Sequence, residues 1–291
     1  MGVKTMEEEK TFNIIDGKKM AASIRAEVKE EIEKLTAAGQ RQPSLAVILV
    51  GGNPASQIYV RNKRKACRKT GINSVEHILD EAITEKTLLN LIDKLNRDDA
   101  IDGILLQLPL PGKLHEKRLL EYINPNKDVD GFHPVNVGRL ALNTPGLRPC
   151  TPAGILEMLK RSSINLAGKS AVVLGRSNIV GKPVGAMLLH ESCTVTICHS
   201  KTRNLKEITK RADILIAAIG RPKFVTADMV SEGAVVIDVG MNRTDDGLCG
   251  DVDFENVKKK AGGITPVPGG VGPMTIAMLM KNTLEATRTR G

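Results

Sequence analysis

The sequence predicts an α/β fold made of two doubly wound units. Short apolar segments bounded by turn residues recur along the 291 residues, and helical patterns separate them. The apolar segments are near-continuous runs of Val, Ile and Leu, which is typical of parallel strands buried on both faces. Strands that alternate with helices in this way predict doubly wound units. The chain length allows two domains.

The first half carries three predicted strands, "SLAVILVGG", "SVEHIL" and "DGILLQLPL", at residues 44–52, 74–79 and 102–110. Three helical patterns lie before and between them, at residues 17–38, 54–70 and 84–97. Each strand ends at turn residues such as Gly, Asn, Asp or Pro, which break regular structure.

The second half carries four predicted strands, at residues 170–177, 193–200, 212–220 and 233–240. Its helical patterns cover residues 152–162, 182–191 and 274–290. The Pro-rich segment 142–152 separates the two groups of strands, so we place the domain boundary there. The last helix has no strand after it and follows a loop rich in Pro and Gly. We expect it to cross back and pack on the first domain.

The composition excludes several classes of protein. With 41% hydrophobic and 26% charged residues, it is that of an ordinary globular protein. No apolar run approaches the roughly 20 residues that a membrane span needs. The stretch at residues 1–10 is acidic and lacks an apolar segment, so we expect no signal peptide. The five cysteines form no CxxC pair, which favours reduced thiols and a cytoplasmic protein.

The net charge of +9 allows three interpretations: a solvated basic surface, a nucleic-acid-binding protein, or a protein that binds a polyanionic small ligand. Nucleic-acid-binding surfaces usually add aromatic side chains on which bases stack. Only 2% of the residues are aromatic and none is Trp, which disfavours nucleic acid as the partner. No His, Cys, Asp or Glu cluster has metal-ligand spacing, so we expect no metal.

The segment "AVVLGRSNIVGKPVG" predicts a strand, a Gly-bearing turn and a helix. A Rossmann unit holds a dinucleotide phosphate at this place, on backbone N–H groups at a helix N-terminus. The glycines are Gly175 and Gly181, and Ser177 replaces the second glycine of the G-x-G-x-x-G fingerprint. By itself this segment is therefore equally consistent with an ordinary turn between a strand and a helix.

The end of the next predicted strand favours NADP over NAD. A site specific for NAD usually places an acid there, about 20 residues after the glycines, to bind the ribose 2′-hydroxyl. Here the strand ends at Ser200, and Lys201 and Arg203 follow without an acid. Arg176 lies in the glycine turn itself. A hydroxyl and a guanidinium suit a 2′-phosphate.

In the first half, helix 54–70 places one lysine, Lys63, on its apolar side, one turn after Tyr59. A buried ammonium is costly unless it is paired or used, but a lysine can also extend along apolar neighbours to reach water. Gln107 interrupts an apolar strand, where an amide needs a hydrogen-bond partner. Asp128 and Asp130 precede a glycine, a pattern that an ordinary turn also explains.

Taken together, the motifs resemble one known family. "YVRNK", "GILLQLPLP", "KDVDGFHPVNVGRL", "GKSAVVLGRSNIVGKPV", "VIDVGMNR", "GDVDF" and "TPVPGGVGPMT" occur in the family order. The sequence is similar, from about residue 12 to 286, to the bifunctional methylenetetrahydrofolate dehydrogenase/methenyltetrahydrofolate cyclohydrolase family. The resemblance implies two doubly wound domains flanking a cleft, the second a Rossmann-type NADP-binding domain. It divides the chain into a folate-binding catalytic domain, residues 1–149 plus 274–291, and an NADP-binding domain, residues 150–273.

The resemblance also implies roles for individual residues. Lys63 matches the catalytic lysine, Tyr59 the tyrosine that packs on folate, Gln107 the glutamine that holds the lysine, and Asp130 the aspartate that binds the pterin. The segment that contacts the substrate is Pro268, Gly269, Gly270, Val271 and Gly272. The positions that contact NADP are Gly175, Arg176, Ser177 and Ser200, with Met241 beside the cofactor where the family often has Ile or Val.

The implied function is in one-carbon metabolism, which supplies purine biosynthesis. It is oxidation of 5,10-methylenetetrahydrofolate by NADP, followed by hydrolysis of the methenyl product to 10-formyltetrahydrofolate. A dehydrogenase without the hydrolytic step is the alternative. The resemblance further implies a homodimer, and the positive charge suits substrates that carry several glutamates.

Overall fold

The computed structural model describes residues 13–112, 114–245 and 247–289. The acidic stretch at residues 1–10 and residue 290, the last of the predicted terminal helix, lie outside these ranges. Within them, no helix combines the length and the apolar character that crossing a membrane requires.

The first sheet has three parallel strands. They are β1 (Ser44–Val50), β2 (Asn73–Leu79) and β3 (Gly103–Leu106), and their order in the sheet is β2-β1-β3. The helices of this part are α1 (Gly17–Ala37), α2 (Pro54–Thr70), α3 (Glu85–Arg97), α4 (Glu116–Tyr122) and α5 (Pro134–Ala141). Every residue of the central strand β1 is buried, as expected of a strand with neighbours on both edges and helices on both faces.

The second sheet has five parallel strands. They are β4 (Ser170–Leu174), β5 (Thr194–Cys198), β6 (Ile214–Ala217), β7 (Val235–Asp238) and, after a small hairpin, β10 (Gly263–Ile264). The hairpin is β8 (Asn242–Thr244) with β9 (Gly247–Cys249), and the helices are α6 (Cys150–Arg161), α7 (Gly181–His190), α8 (Leu205–Thr209), α9 (Phe254–Val257) and α10 (Val271–Arg288). The strand order is β10-β7-β6-β4-β5. The predicted α/β class with parallel sheets is confirmed.

The segment at residues 13–15 joins the second sheet before the chain enters α1. The Ile15 N–H donates to the Ile264 carbonyl at 2.9 Å, and the Ile264 N–H donates to the Asn13 carbonyl at 3.1 Å. This pairing brings the first turn of α1 next to the residues that precede α10.

α10 packs against α1, α2 and β3 and also against α6. At its far end, Arg288 donates to Glu31 of α1 at 2.5 Å. α1 and α6 are joined directly, because Arg161 donates to both carboxylate oxygens of Glu27 at 2.7 Å each. One hydrophobic cluster continues from β1 through these helices to β4. The helices α1, α6 and α10 therefore form the layer that holds the two sheets together.

The structure differs from the prediction at element ends and in short elements. The predicted strand 102–110 ends at Leu106, because Pro109 and Pro111 cannot donate to a ladder. The last helix begins at Val271 rather than 274, and Pro273 fits there because the first turn needs no N–H from it. Four helices of at most eight residues, and the hairpin, were not predicted because segments this short show no repeat.

Candidate functional site

The first half of the site lies at the carboxyl end of the first sheet. Strand order reverses at β1, and ligands of open α/β sheets bind at such a reversal, beyond the carboxyl ends of the strands. Gln107 follows β3 directly at this place, and its backbone N–H donates to the Ile48 carbonyl at 2.9 Å. The side chain of Gln107 is thereby fixed to the frame of the sheet.

Lys63 and Gln107 form a buried pair. The Lys63 Nζ donates to the Gln107 Oε1 at 3.0 Å, and both side chains are buried. The Gln107 Nε2 donates to the Leu108 carbonyl at 2.6 Å, which fixes the amide with its oxygen toward the lysine. The predicted pairing of a cation and an amide is thus present, and the lysine is held by a neutral partner rather than by a carboxylate.

Lys63 points inward because it lies on the buried side of α2. Asn53 caps the helix by accepting from the Ala55 and Ser56 N–H groups, and the helix ends at Gly71 in the left-handed conformation. The buried stripe contains Ser56, Val60, Lys63, Ala66, Cys67 and Thr70. The exposed cations of the same helix are Arg61, Arg64, Lys65, Arg68 and Lys69. The predicted inward face of Lys63 is therefore confirmed, whereas Tyr59, predicted on the same side, is exposed.

Tyr59 lies where the two parts of the molecule meet. It is 38% exposed, and its hydroxyl donates to the Sδ of Met241 at 2.9 Å. The Met241 Cε lies 3.2 Å from where a Cβ would stand at Gly272. Met241, from the loop after β7, thus bridges the predicted folate-packing tyrosine and the first turn of α10.

The two candidate aspartates have different surroundings. Asp128 is buried and accepts hydrogen bonds from the His133 N–H at 2.8 Å and the Asn136 side chain at 2.9 Å. These bonds attach Asp128 to the start of α5 through its Oδ2 atom, which is therefore occupied. Asp130 is only half-buried. Burial raises the pKa of Asp130, and the nearby Lys63 ammonium opposes that shift.

The substrate segment predicted from the resemblance, Pro268 to Gly272, is held by the start of α1. The Lys18 N–H donates to the Gly269 carbonyl at 2.9 Å. Gly17 is needed for this contact, since a Cβ there would lie 1.9 Å from the Gly270 carbonyl oxygen. Val271 and Gly272 belong to the first turn of α10 rather than to the loop. Sequence reasoning missed Gly17, because its contact lies more than 250 residues along the chain.

The second half of the site is the turn after β4, at the reversal of strand order in the second sheet. Gly175 has φ +111°, and a Cβ there would lie 2.1 Å from the Ala218 carbonyl oxygen. The Ser177 hydroxyl accepts from the Val180 and Gly181 N–H groups at 3.1 and 3.3 Å, at the N-terminus of α7. A turn that starts at a glycine and leads into a helix N-terminus leaves room for a dinucleotide phosphate. Arg176 in the turn is exposed, and so is Ser200, which follows β5.

Two buried aspartates that sequence reasoning did not single out organise the loops beside this turn. The Asp251 carboxylate accepts from the N–H groups of Ile219, Gly220 and Arg221 at 2.7 to 2.9 Å. Asp238 accepts from the Asp251 N–H at 2.8 Å, and burial raises the pKa of Asp238 to about 6. The sequence does contain a signal for Asp238, because it is an acidic residue at the end of the apolar strand in "VVIDVG". Within the described ranges, no group of three or more His, Cys, Asp or Glu could hold a metal ion.

The fold and the two half-sites are typical of one class of protein, the two-domain enzymes that have a dinucleotide-binding turn in one domain and a catalytic site in the other. Residues 15–130 match the family model described as tetrahydrofolate dehydrogenase/cyclohydrolase, catalytic domain. Residues 149–291 match the model described as tetrahydrofolate dehydrogenase/cyclohydrolase, NAD(P)-binding domain. The chain therefore belongs to the tetrahydrofolate dehydrogenase/cyclohydrolase family, and the resemblance found in its motifs is confirmed.

Individual relatives agree with this assignment. A bifunctional protein FolD from Caldicellulosiruptor saccharolyticus is 61% identical over 273 residues, covering 92% of this chain and 98% of the relative. The crystal structure of a bifunctional FolD methylenetetrahydrofolate dehydrogenase/cyclohydrolase from Campylobacter jejuni is similar with a TM-score of 0.94 at 51% identity, covering 96% and 99% of the two chains. A Trypanosoma brucei relative, crystallised with NADP cofactor and inhibitor, has a TM-score of 0.90 at 39% identity, covering 95% and 97%.

Proposed function

We propose that the protein oxidises 5,10-methylenetetrahydrofolate with NADP and then hydrolyses the methenyl product to 10-formyltetrahydrofolate. The observation that carries this proposal is the buried pair of Lys63 and Gln107 at the carboxyl end of the first sheet, with Asp130 nearby. Relatives described as bifunctional, at 56–61% identity, support both steps over the dehydrogenase-only alternative.

The dehydrogenase step needs alignment more than it needs proton transfer. When bound, the nicotinamide cofactor supplies the acceptor for a hydride. Gly175 and Ser177 would hold the cofactor phosphates at the N-terminus of α7, and Arg176 and Ser200 would hold the ribose phosphate. Tyr59 would pack on the folate, with the segment Pro268 to Gly272 against its other side. These residues would thereby bring the two reacting carbons together for hydride transfer.

The cyclohydrolase step needs a group that exchanges protons. A water molecule attacks the methenyl carbon, and the proton that it loses passes to Lys63 acting in its neutral amine form. The bond from this carbon to N5 then breaks as the lysine returns that proton to N5. The hydroxyl proton passes to solvent as the C=O bond forms, which leaves the formyl group on N10. Gln107 fixes the lysine through its amide oxygen and adds no charge beside a cationic substrate.

The test of the proposed function is a coupled assay with 5,10-methylenetetrahydrofolate. NADPH formation is followed by its absorbance, and 10-formyltetrahydrofolate is quantified separately. We expect both products from one preparation. NADPH formation without a formyl product above the uncatalysed rate would leave only the dehydrogenase.

Cofactor preference depends on Arg176. Arg176→Ala should weaken NADP⁺ binding by about tenfold or more, because a hydrogen bond to a charged phosphate is lost. NAD⁺ lacks that phosphate, so its binding should change much less. Titration of the wild type and the variant with both cofactors measures the difference. Equal losses for the two cofactors would contradict a role of Arg176 at the 2′-phosphate.

Asp130, rather than Asp128, should anchor the pterin. Its carboxylate can accept from the N–H and amino groups of the ring, whereas that of Asp128 is engaged by His133 and Asn136. Asp130→Ala should raise the Kd for folate by about tenfold or more and impair both activities. Asp128→Ala should lower thermal stability with a smaller effect on folate binding. The opposite ranking in folate Kd would assign the anchor to Asp128.

A homodimer forms part of the proposal, and the free edge of β2 supports it. β2 pairs with β1 alone among the described strands, and Ile78 on it is 69% exposed. The buried side-chain atoms Ser74 Oγ and His77 Nε2 have no hydrogen-bond partner within the described residues. An edge of this kind readily pairs with a second chain. Light scattering should give a mass of twice the 31.4 kDa of one chain. Ile78→Lys places a charge on the β2 edge and should lower the measured mass toward that of one chain.

The remaining assignments follow from the sequence. Packing on α1, α2 and β3 supports the place of α10 in the first domain, while its packing on α6 joins it to the second. Removal of residues 274–291 should therefore lower the unfolding temperature of the first domain in calorimetry. The charge of +9 supports substrates with several glutamates, which competition assays can rank. A cytoplasmic location fits the cysteine pattern and can be checked by cell fractionation.

A further inference from the structure

A buried asparagine stands on the apolar face of α10. The buried residues of this helix are mostly Met, Leu and Ala, and Asn282 shares their stripe while being only 8% exposed. A buried amide is costly unless its donors are satisfied. Lys63 interrupts the apolar stripe of α2 in the same manner. The hydrogen-bond partners of Asn282 indicate the role of this asparagine.

Asn282 joins two segments that flank the candidate pterin anchor. Its Nδ2 donates to the Val129 carbonyl at 2.8 Å and to the Arg148 carbonyl at 2.8 Å. Val129 directly precedes Asp130. The two segments are in close contact, since a Cβ at Gly131 would lie 2.6 Å from the Arg148 carbonyl carbon. One amide group thus fixes the backbone on which Asp130 stands.

The neighbouring thiol reinforces the arrangement. The Cys150 Sγ donates to the same Val129 carbonyl at 3.2 Å, and the Asn282 Nδ2 lies 3.5 Å from that sulfur. Burial raises the pKa of Asp130, while the Lys63 ammonium opposes the rise. Asp130 is therefore held from its backbone, through the Val129 carbonyl that accepts from both Asn282 and Cys150.

We propose that Asn282 is a positioning residue for folate, acting through Asp130. The inference rests on the proposed role of Asp130 as the pterin anchor. The amide holds residues 129 and 148 at a fixed separation, so the carboxylate points into the cleft without reorganising when the ring arrives. The last helix then contributes to substrate binding without touching the substrate.

The test compares four variants of the full chain. Asn282→Leu removes both donors at similar size, Asn282→Gln retains the NH₂ group, and Asn282→Ser replaces Leu if that variant does not fold. Leu284→Ala on the same helix is the packing control, because Leu284 is buried and takes no part in these hydrogen bonds. The measurements are KM and kcat for 5,10-methylenetetrahydrofolate, the Kd for NADP⁺ and the thermal midpoint.

We expect Asn282→Leu to raise the folate KM by about tenfold, as a small misplacement of a binding group does, with a smaller change in kcat and an unchanged NADP⁺ Kd. Asn282→Gln should recover part of the loss. Leu284→Ala should lower the thermal midpoint and leave KM within about twofold. A KM increase in Leu284→Ala equal to that in Asn282→Leu would overturn the proposal, because the effect would then be one of helix packing.

A double mutant separates this inference from the proposed function. If Asn282 acts through Asp130, Asn282→Leu should add little to the folate-binding defect of Asp130→Ala. If the two residues acted independently, the binding defects of the single variants would add in free energy. Full additivity overturns the inference while Asp130 remains the anchor. Wild-type folate affinity in Asp130→Ala would overturn the anchor itself, and the inference with it.

Discussion

Replacing Lys63 with methionine should lower the cyclohydrolase rate by about two or more orders of magnitude, the usual contribution of a general acid–base group. Methionine keeps most of the length and bulk of the lysine stem but has no ammonium. The proton lost by the attacking water then has no acceptor at the place where Gln107 holds one. The dehydrogenase step should decline less, because it depends on alignment.

The same substitution should not destabilise the fold through its apolar neighbours. Lys63 is buried on a stripe with Val60, Ala66 and Cys67, and a thioether packs well there. The Gln107 Oε1 loses its donor, which offsets part of the gain from removing a buried charge. NADP⁺ affinity should be unchanged, since the glycine turn after β4 belongs to the other sheet. Thermal unfolding and a cofactor titration measure both quantities.

Lys65→Met is the matched control. Lys65 lies two residues further along α2 and is exposed, so both activities should be near those of the wild type. The assay is the formation of 10-formyltetrahydrofolate from the methenyl substrate, corrected for the uncatalysed rate. Full cyclohydrolase activity in Lys63→Met, or its loss in Lys65→Met, would contradict the assignment of the inward face of α2 to the reaction.

The inward placement of Lys63 could be predicted because helical periodicity is local. Residues 3.6 positions apart share a face, so one cation among apolar neighbours is visible within a single turn. Gln107 was visible for a similar reason, as a polar residue that interrupts an apolar run. The choice of Asp130 over Asp128 came from the resemblance. The hydrogen bonds that Asp128 accepts from His133 and Asn136 support that choice.

Contacts between distant parts of the chain could not be predicted in this way. Asn282 reaches carbonyls that are 153 and 134 residues away, and backbone carbonyls carry no sequence signal. The position of Asn282 on a buried helix face could be predicted from the sequence, as that of Lys63 could, but its hydrogen-bond partners could not. The same holds for Gly17, whose missing Cβ is explained only by the carbonyl of Gly270.

Element type was more predictable than element boundaries. The seven predicted strands are all present, because each is an apolar run between turn residues. Their ends moved where a residue cannot continue the ladder, as in the strand that stops at Leu106 ahead of Pro109 and Pro111. Tyr59 and Met241 illustrate a contact that the sequence does not predict. They are 182 residues apart, and only the folded chain shows that they touch across the two parts.

Gly175→Ala should weaken NADP⁺ binding by about 100-fold or more. Gly175 has φ +111°, a conformation that costs other residues about 1–3 kcal/mol. The added Cβ would also stand 2.1 Å from the Ala218 carbonyl oxygen, at the end of the neighbouring strand β6. The turn would have to move away from β6, and its N–H groups would move with it. A displacement of about 1 Å in a binding group is enough for a loss of this size.

Gly168→Ala separates the clash from the backbone strain. Gly168 lies before β4 with φ +75°, and a Cβ there meets nothing within 4 Å. This control should therefore lose some stability and keep its NADP⁺ affinity. In Gly175→Ala, folate binding should persist, because Lys63 stands on α2 and Gln107 and Asp130 stand on loops of the first part of the chain. Calorimetric titration with NADP⁺ and with a folate measures both sites in one preparation. Wild-type NADP⁺ affinity in Gly175→Ala would show that the cofactor phosphates bind elsewhere than at the turn after β4.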